Sequence, residues 1–208
     1  VSEAGSTDSF TVVLNAQPSS DVVLSVVSAD TGEATVSPTQ LTFTNSNWDT
    51  AQTVTVTGVD DSAVDGTQTT AVTVAVVDGS SDDAYDAVAD STVSVTTSDD
   101  DTAAFTLSGT AVTVSEAGST ATFTVVLDAQ PESDVVLSVV SADTGEATVA
   151  PATLTFTSSN WNAAQTVTAT GVDDNATDGN QTTAVTVAVV DASSDDAFDA
   201  LADQTVTV

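Results

Sequence analysis

The chain contains no lysine, arginine, histidine, cysteine or methionine in 208 residues. Without Lys or Arg there is no counterion release to drive nucleic-acid binding, and a formal net charge of −31 repels both phosphate backbones and anionic lipid surfaces. The missing cysteines remove disulfides and thiol chemistry, so stability has to come from burial or from bound metal. With neither His nor Cys, no Ser-His-Asp or Cys-His nucleophile can be assembled. Aromatic residues make up only 4% of the chain, which leaves a carbohydrate-binding module without the outward pair of rings it would need. No run approaches the roughly 20 apolar residues of a membrane span, and the first residues show no charged stretch leading into an apolar one. Direct membrane insertion is not expected.

What is present is a repeat. Trp48 and Trp161 stand in the same Ser-Asn-Trp context 113 positions apart, Pro18 and Pro131 share that offset, and SEAGST begins at Ser2 and again at Ser115. The chain reads as a tandem duplication, copy one at 1–101 and copy two at 102–208. Copy one lacks a counterpart to AAFTLSGTAVT, and copy two stops before a counterpart to Asp99–Asp101, so the sequence reads as a window from a longer array. Within each copy apolar residues alternate with Thr and Ser, as in Thr53-Val54-Thr55-Val56-Thr57, which is the period-2 signature of a strand with one buried face. No stretch has helical periodicity. Strands are predicted at 1–3 (the tail of a strand whose first part is missing), 9–15, 22–28, 34–36 with 41–44, 53–58, 69–77 and 92–97. Seven short strands in about 100 residues make an immunoglobulin-like antiparallel β-sandwich, and the whole chain is all-β, two such sandwiches in tandem.

Strand direction then gives every carboxylate a pole. If successive strands alternate, Glu3, Asp30, Glu33, Asp60, Asp61, Asp65, Asp99, Asp100 and Asp101 all fall at one end of copy one, brought there by four separate segments. Adjacent carboxylates repel by roughly 1 kcal/mol per pair at about 4 Å in water, and this chain has no cationic side chain to offset it. A hard divalent cation that takes oxygen ligands, calcium above all, fits that need. Copy two keeps Glu116, Asp143, Asp173, Asp174 and Asp178 at the corresponding positions.

The order Val-Ser-Glu-Ala-Gly at 1–5, Leu-Thr-Phe-Thr at 41–44, Thr-Val-Thr-Gly-Val-Asp-Asp at 55–61 and Ser-Asp-Asp-Asp at 98–101 resembles the Calx-β domain, in the variety repeated in large bacterial surface and adhesin proteins. The resemblance covers essentially the whole chain, twice. It implies that Glu3, Asp60, Asp61, Asp99, Asp100 and Asp101 are calcium ligands. Where that family often carries glutamates after the Asp pair, this chain has Asp65 and Gln68, which leaves room for a smaller ion cluster.

The opposite pole is acidic too, through Asp21, Asp49, Asp78 and the loop 80–90. That loop reads either as solvated, with Asp82 and Asp83 facing water while Tyr85 and Val88 pack, or as an acceptor of calcium from a neighbouring domain. Trp48 and Trp161 read as lids over the cores. Asn175-Ala176-Thr177 and Asn180-Gln181-Thr182 match a glycosylation pattern that is common by chance. A carboxylate-pair glycosidase is formally open, but two copies of one sandwich offer no obvious cleft, and no enzyme is expected. The expected role is a calcium-rigidified spacer outside the cell or on its surface, whose partners are neighbouring repeats. A filament segment sharing strands with other copies is the second reading.

Overall fold

The computed structural model describes residues 1–176 and 179–208, in two compact units. The first comprises Val1–Asp61 and Gly66–Asp100, the second Ser62–Asp65 and Asp101–Val208. The sequence reading keeps 62–65 and Asp101 with copy one. In the structure Val64 packs against the core of the second unit, its N–H donates to the Gln130 carbonyl at 2.9 Å, and the Gln130 N–H donates to the Ser62 carbonyl at 2.7 Å. An apolar side chain in an otherwise acidic loop takes the place where it loses contact with water.

In the first unit β1 (Thr7–Val12), β5 (Gln52–Gly58) and β3 (Ala34–Ser37) form one sheet in the order β1-β5-β3. The facing sheet runs β4 (Gln40–Phe43), β2 (Val22–Ser28), β6 (Gln68–Val76), β7 (Ser91–Thr97). All these pairings are antiparallel. The stretch 34–44 changes sheet, β3 pairing with β5 and β4 with β2, and the cis peptide Ser37–Pro38 lies between them. The strands form because most inward positions are Val, Leu or Phe and most outward ones Ser, Thr or Gln. Val22, Val26, Phe43, Val54 and Val72 are buried between the sheets, while Val27 on the outer face of β2 is exposed. The expected strand at 1–3 is too short to form a ladder and makes a single parallel bridge, Ser2 to Ser98, beyond the end of β7.

The second unit repeats this plan with one strand more. One sheet runs β11 (Ala147–Ala150), β13 (Gln165–Gly171), β9 (Thr120–Leu127), β8 (Phe105–Leu107). The other runs β12 (Thr153–Phe156), β10 (Val135–Ser141), β14 (Ala184–Val189), β15 (Gln204–Thr207). The chain continues from β8 to the other sheet, where Ala111 bridges Thr207 in parallel. Trp161 packs partly buried on this core, as a lid should, and Trp48 is likewise half-buried. No helix among the described residues is long and apolar enough to cross a membrane.

Candidate metal centre

Three short segments of the first repeat converge where the two sheets end. The first is 1–3, placed by hydrogen bonds that extend the parallel bridge: the Glu3 N–H donates to the Ser98 carbonyl and the Ser98 N–H to the Val1 carbonyl, each at 3.1 Å. Just beyond Glu3 the chain turns through Gly5, whose φ of 78° is one that L side chains rarely adopt. The Gly5 N–H donates back to the Glu3 carbonyl, and the Ser2 N–H donates to Ser6 Oγ at 2.6 Å. The second segment leaves β5 at Gly58, which has no Cβ because the Ser2 carbonyl occupies that space. The third leaves β7 at the buried Thr97. The Glu33 carbonyl fixes the starts of both, accepting from the Val59 N–H at 3.0 Å and from Thr97 Oγ1 at 3.4 Å.

The result is a carboxylate group made by Glu3, Asp61 and Asp101. Each offers an oxygen, and these oxygens lie within 4.8 Å of one another. Glu3 is 1% exposed, Asp101 half-buried and Asp61 exposed, so the group is dry on one side and open on the other. Oxygens bound to one calcium ion can be at most about 5 Å apart, twice the usual calcium–oxygen distance, so the three fit a shared ion. Waters and further carboxylates would complete the shell. The hard, all-oxygen donor set suits calcium or magnesium and not a soft transition metal.

The other acids expected at this pole are placed less centrally. Asp99 is half-buried and accepts from the Gly66 N–H through Oδ2 at 2.8 Å, which ties the β5–β6 connection to the triplet. Asp60 and Asp100, the chain neighbours of Asp61 and Asp101, are exposed. Asp65 is half-buried within the second unit. Asp30 is exposed and closes its own turn, its Oδ1 accepting from the Gly32 N–H at 2.9 Å. In the second repeat Glu116 is exposed where Glu3 is buried. Asp143 repeats the Asp30 turn with the Gly145 N–H at 2.8 Å, Asp173 and Asp174 are exposed, and Asp174 Oδ1 accepts from the Ala176 N–H at 2.7 Å. Glu116 and Glu146 line a cleft of about 800 Å³ there. Asp178, and Thr177 of the first glycosylation pattern, lie outside the described residues.

The acidic loop at the other end of each sandwich departs from its sequence reading. Asp82 does not face water: it is 7% exposed, and its Oδ2 accepts from the Ser19 N–H (2.6 Å), Ser19 Oγ (2.7 Å) and the Ser20 N–H (3.0 Å), while Oδ1 accepts from the Ala84 N–H (3.0 Å). These donors, the Ala84 N–H foremost, hold its carboxyl well below the usual range. Asp195 is buried on Ser133 and Ala197 in the same way. Val88 is exposed rather than packed, whereas Tyr85 packs on the core and donates its hydroxyl to the Ala16 carbonyl. Burial, with repulsion from Asp78, Asp83 and Asp82, raises the carboxyl of Asp86, and burial with Asp191, Asp196 and Asp195 raises that of Asp199.

No family model matches the chain, and no curated protein does. Among solved structures it is similar to domains 1–6 of the surface layer protein SbsC, at 18% identity and a TM-score of 0.42, over 89% of this chain and 19% of that one. The S-layer protein SbsC domains 4 and 5 align at 18% identity and a TM-score of 0.40, over 89% of this chain and 68% of theirs. CBD12 from CALX1.2 aligns at 12% identity and a TM-score of 0.38, over 90% of this chain and 75% of that one. The chain spans about a fifth of the length of the six-domain SbsC structure.

Proposed function

We propose that the chain is a pair of Calx-β-like structural repeats from an extracellular or cell-surface protein, and that calcium bound by Glu3, Asp61 and Asp101 fixes the point where the first sandwich hands the chain on. An array of such repeats acts as a spacer, and its work is mechanical rather than catalytic. The observation that carries this reading is the burial of Glu3 beside two more carboxylates in a chain with no cationic side chain. Taking one carboxylate out of water costs several kcal/mol unless an opposite charge offsets it. A divalent ion supplies that charge and gives Asp99 and Asp100, at the rim, a further role as flanking ligands. Asp101 leads into Thr102-Ala103-Ala104-Phe105 with no glycine or proline, so an ion that holds the triplet also restrains the direction the chain takes.

The test is a calcium titration by calorimetry with melting curves in calcium and in chelator. At a hundredfold excess over its dissociation constant, calcium adds about 2.7 kcal/mol, a rise of roughly 10–20 °C for a unit of this size. Glu3→Gln removes the buried charge, so in chelator it melts at or above wild type, while in calcium it melts below and shows little response to the ion. Superimposed wild-type curves with and without calcium would sink the reading.

A further inference from the structure

We propose that Asp78 is a self-modification site: in the native chain its link to Gly79 converts spontaneously to an isoaspartyl linkage, while Asp65-Gly66 and the matching turn of the second copy resist. The chemistry needs no partner. The Gly79 amide nitrogen attacks the side-chain carboxyl carbon of Asp78, the amide proton and the carboxyl hydroxyl leave as water, and a succinimide ring forms. Water then adds to either ring carbonyl. One opening restores aspartate, and the other routes the main chain through the side-chain carboxyl. The sequence holds three Asp-Gly pairs, Asp65-Gly66, Asp78-Gly79 and Asp178-Gly179, of which the third lies partly outside the described residues.

The freedom of the attacking nitrogen separates the first two. The Gly66 N–H is held by Asp99 Oδ2 at 2.8 Å and Asp65 is half-buried, so attack there has to break a hydrogen bond and turn a packed side chain. Asp78, Gly79 and Ser80 are all exposed, and nothing lies within 4 Å of where a Gly79 Cβ would be. Among the described residues no hydrogen bond holds the Gly79 N–H or the Asp78 carboxylate. The 3-10 turn Asp78–Ser80 is closed by the Ser80 N–H on the Val77 carbonyl at 2.9 Å and the Ser81 N–H on the Asp78 carbonyl at 3.2 Å. So short a turn, with the poorer hydrogen-bond geometry of its class, opens locally at little cost, and glycine gives the opened backbone the widest choice of angles for the attack. The second copy supplies a control. Asp191–Ser193 forms the same turn with the same two bonds, at 2.9 and 3.2 Å, but Ala192 stands in place of Gly79. Its methyl group restricts the approach of the nitrogen. Isomerisation would lengthen the chain just ahead of Ser81 and Asp82, where Ser81 Oγ accepts from the Val23 N–H at 3.0 Å and Asp82 holds Ser19.

The experiment keeps the 208-residue chain for several weeks near neutral pH, folded and in denaturant. It is then cut with a protease that cleaves before aspartate but not before isoaspartate, and the fragments are read by mass spectrometry. In the folded chain Asp78 should convert about tenfold or more faster than Asp65 and Asp191, a ratio that needs only a modest difference in barrier. In denaturant Asp65 should rise to the rate of Asp78, since both precede glycine, while Asp191 stays slow. Gly79→Ala should bring Asp78 down to the rate of Asp191, and Ala192→Gly should bring Asp191 up to that of Asp78, with circular dichroism unchanged in both. Asp65 or Asp191 converting as fast as Asp78 in the folded chain, an unreactive Asp78, or an Ala192→Gly chain in which Asp191 stays slow would overturn the proposal. No step involves calcium, so the result stands apart from that of the titration.

Discussion

Alanine at Gly58 is the sharpest probe of how the metal pole is held. A Cβ added there would lie inside van der Waals distance of the Ser2 carbonyl oxygen and 2.8 Å from its carbon, where ordinary contact begins at 3.4 Å, and both obstacles are backbone. Relief requires segment 1–3 to retreat from β5. That motion stretches the Glu3 N–H to Ser98 carbonyl and Ser98 N–H to Val1 carbonyl bonds, both 3.1 Å already. Losing the two costs about 1 kcal/mol each, and residual overpacking about 1–3 kcal/mol, so we expect a loss of about 3–5 kcal/mol. For one unit of this size that is a fall in Tm of roughly 12–40 °C. Each repeat has one tryptophan, so the variant in a Trp161→Phe background lets Trp48 fluorescence report the first unit alone, in chelator to remove any contribution from metal. The counterpart Gly171, whose Cβ would meet Ser115 in the same way, should lower the second transition and leave the first in place. A Gly58→Ala transition within about 2 °C of wild type, the scale of less than half a kcal/mol, would refute the packing argument.

Two further expectations concern the loops at the other pole, each read as Tm against pH. The carboxyl of Asp82 is held low by the folded state, so its stabilisation is complete above the unfolded value of about 3.9 and fades as the pH falls below it. Asp82→Asn should therefore melt below wild type at neutral pH, with a gap that closes in acid; a gap of constant size would contradict the hydrogen-bond account. For Asp199 the sign reverses. Its carboxyl is raised in the folded state, so wild type loses stability as the pH rises above about 3.9 and through the folded value. Asp199→Asn should melt above wild type at pH 7 and level with it well below pH 4, and an unchanged Tm at pH 7 would show that burial and repulsion there are already relieved.

Much of the architecture was legible because it is periodic. The 113-residue offset and the alternation of Val with Thr place almost every strand to within a few residues, and counting strand directions brings Glu3, Asp61 and Asp101 to one pole. Which carboxylate of a run joins Glu3 was not legible: Asp60 and Asp61 are chemically alike and both exposed, yet it is Asp61 that has an oxygen within 4.8 Å of those of Glu3 and Asp101. The burial of Asp82 was hidden for a different reason: three of its four donors are main-chain N–H groups, on Ser19, Ser20 and Ala84, which any sequence would carry. Val64 was hidden as well, since one apolar residue in an acidic loop has no period to betray where it packs.

The identity of β2 and β10, both Val-Val-Leu-Ser-Val-Val-Ser, has a consequence for how the chain reaches its native state. Leu24 pairs with Val76 and Leu137 with Val189, in equivalent registers on equivalent partners. Contact energies therefore scarcely distinguish β2 joined to β6 from β2 joined to β14. What separates them is the length of chain to be closed, about 50 residues against about 165, which the logarithmic dependence of closure entropy turns into only about 1 kcal/mol, roughly fivefold. During refolding a sizeable fraction of first encounters would then join halves of different copies, trapping compact hybrids that must come apart before either sandwich can finish.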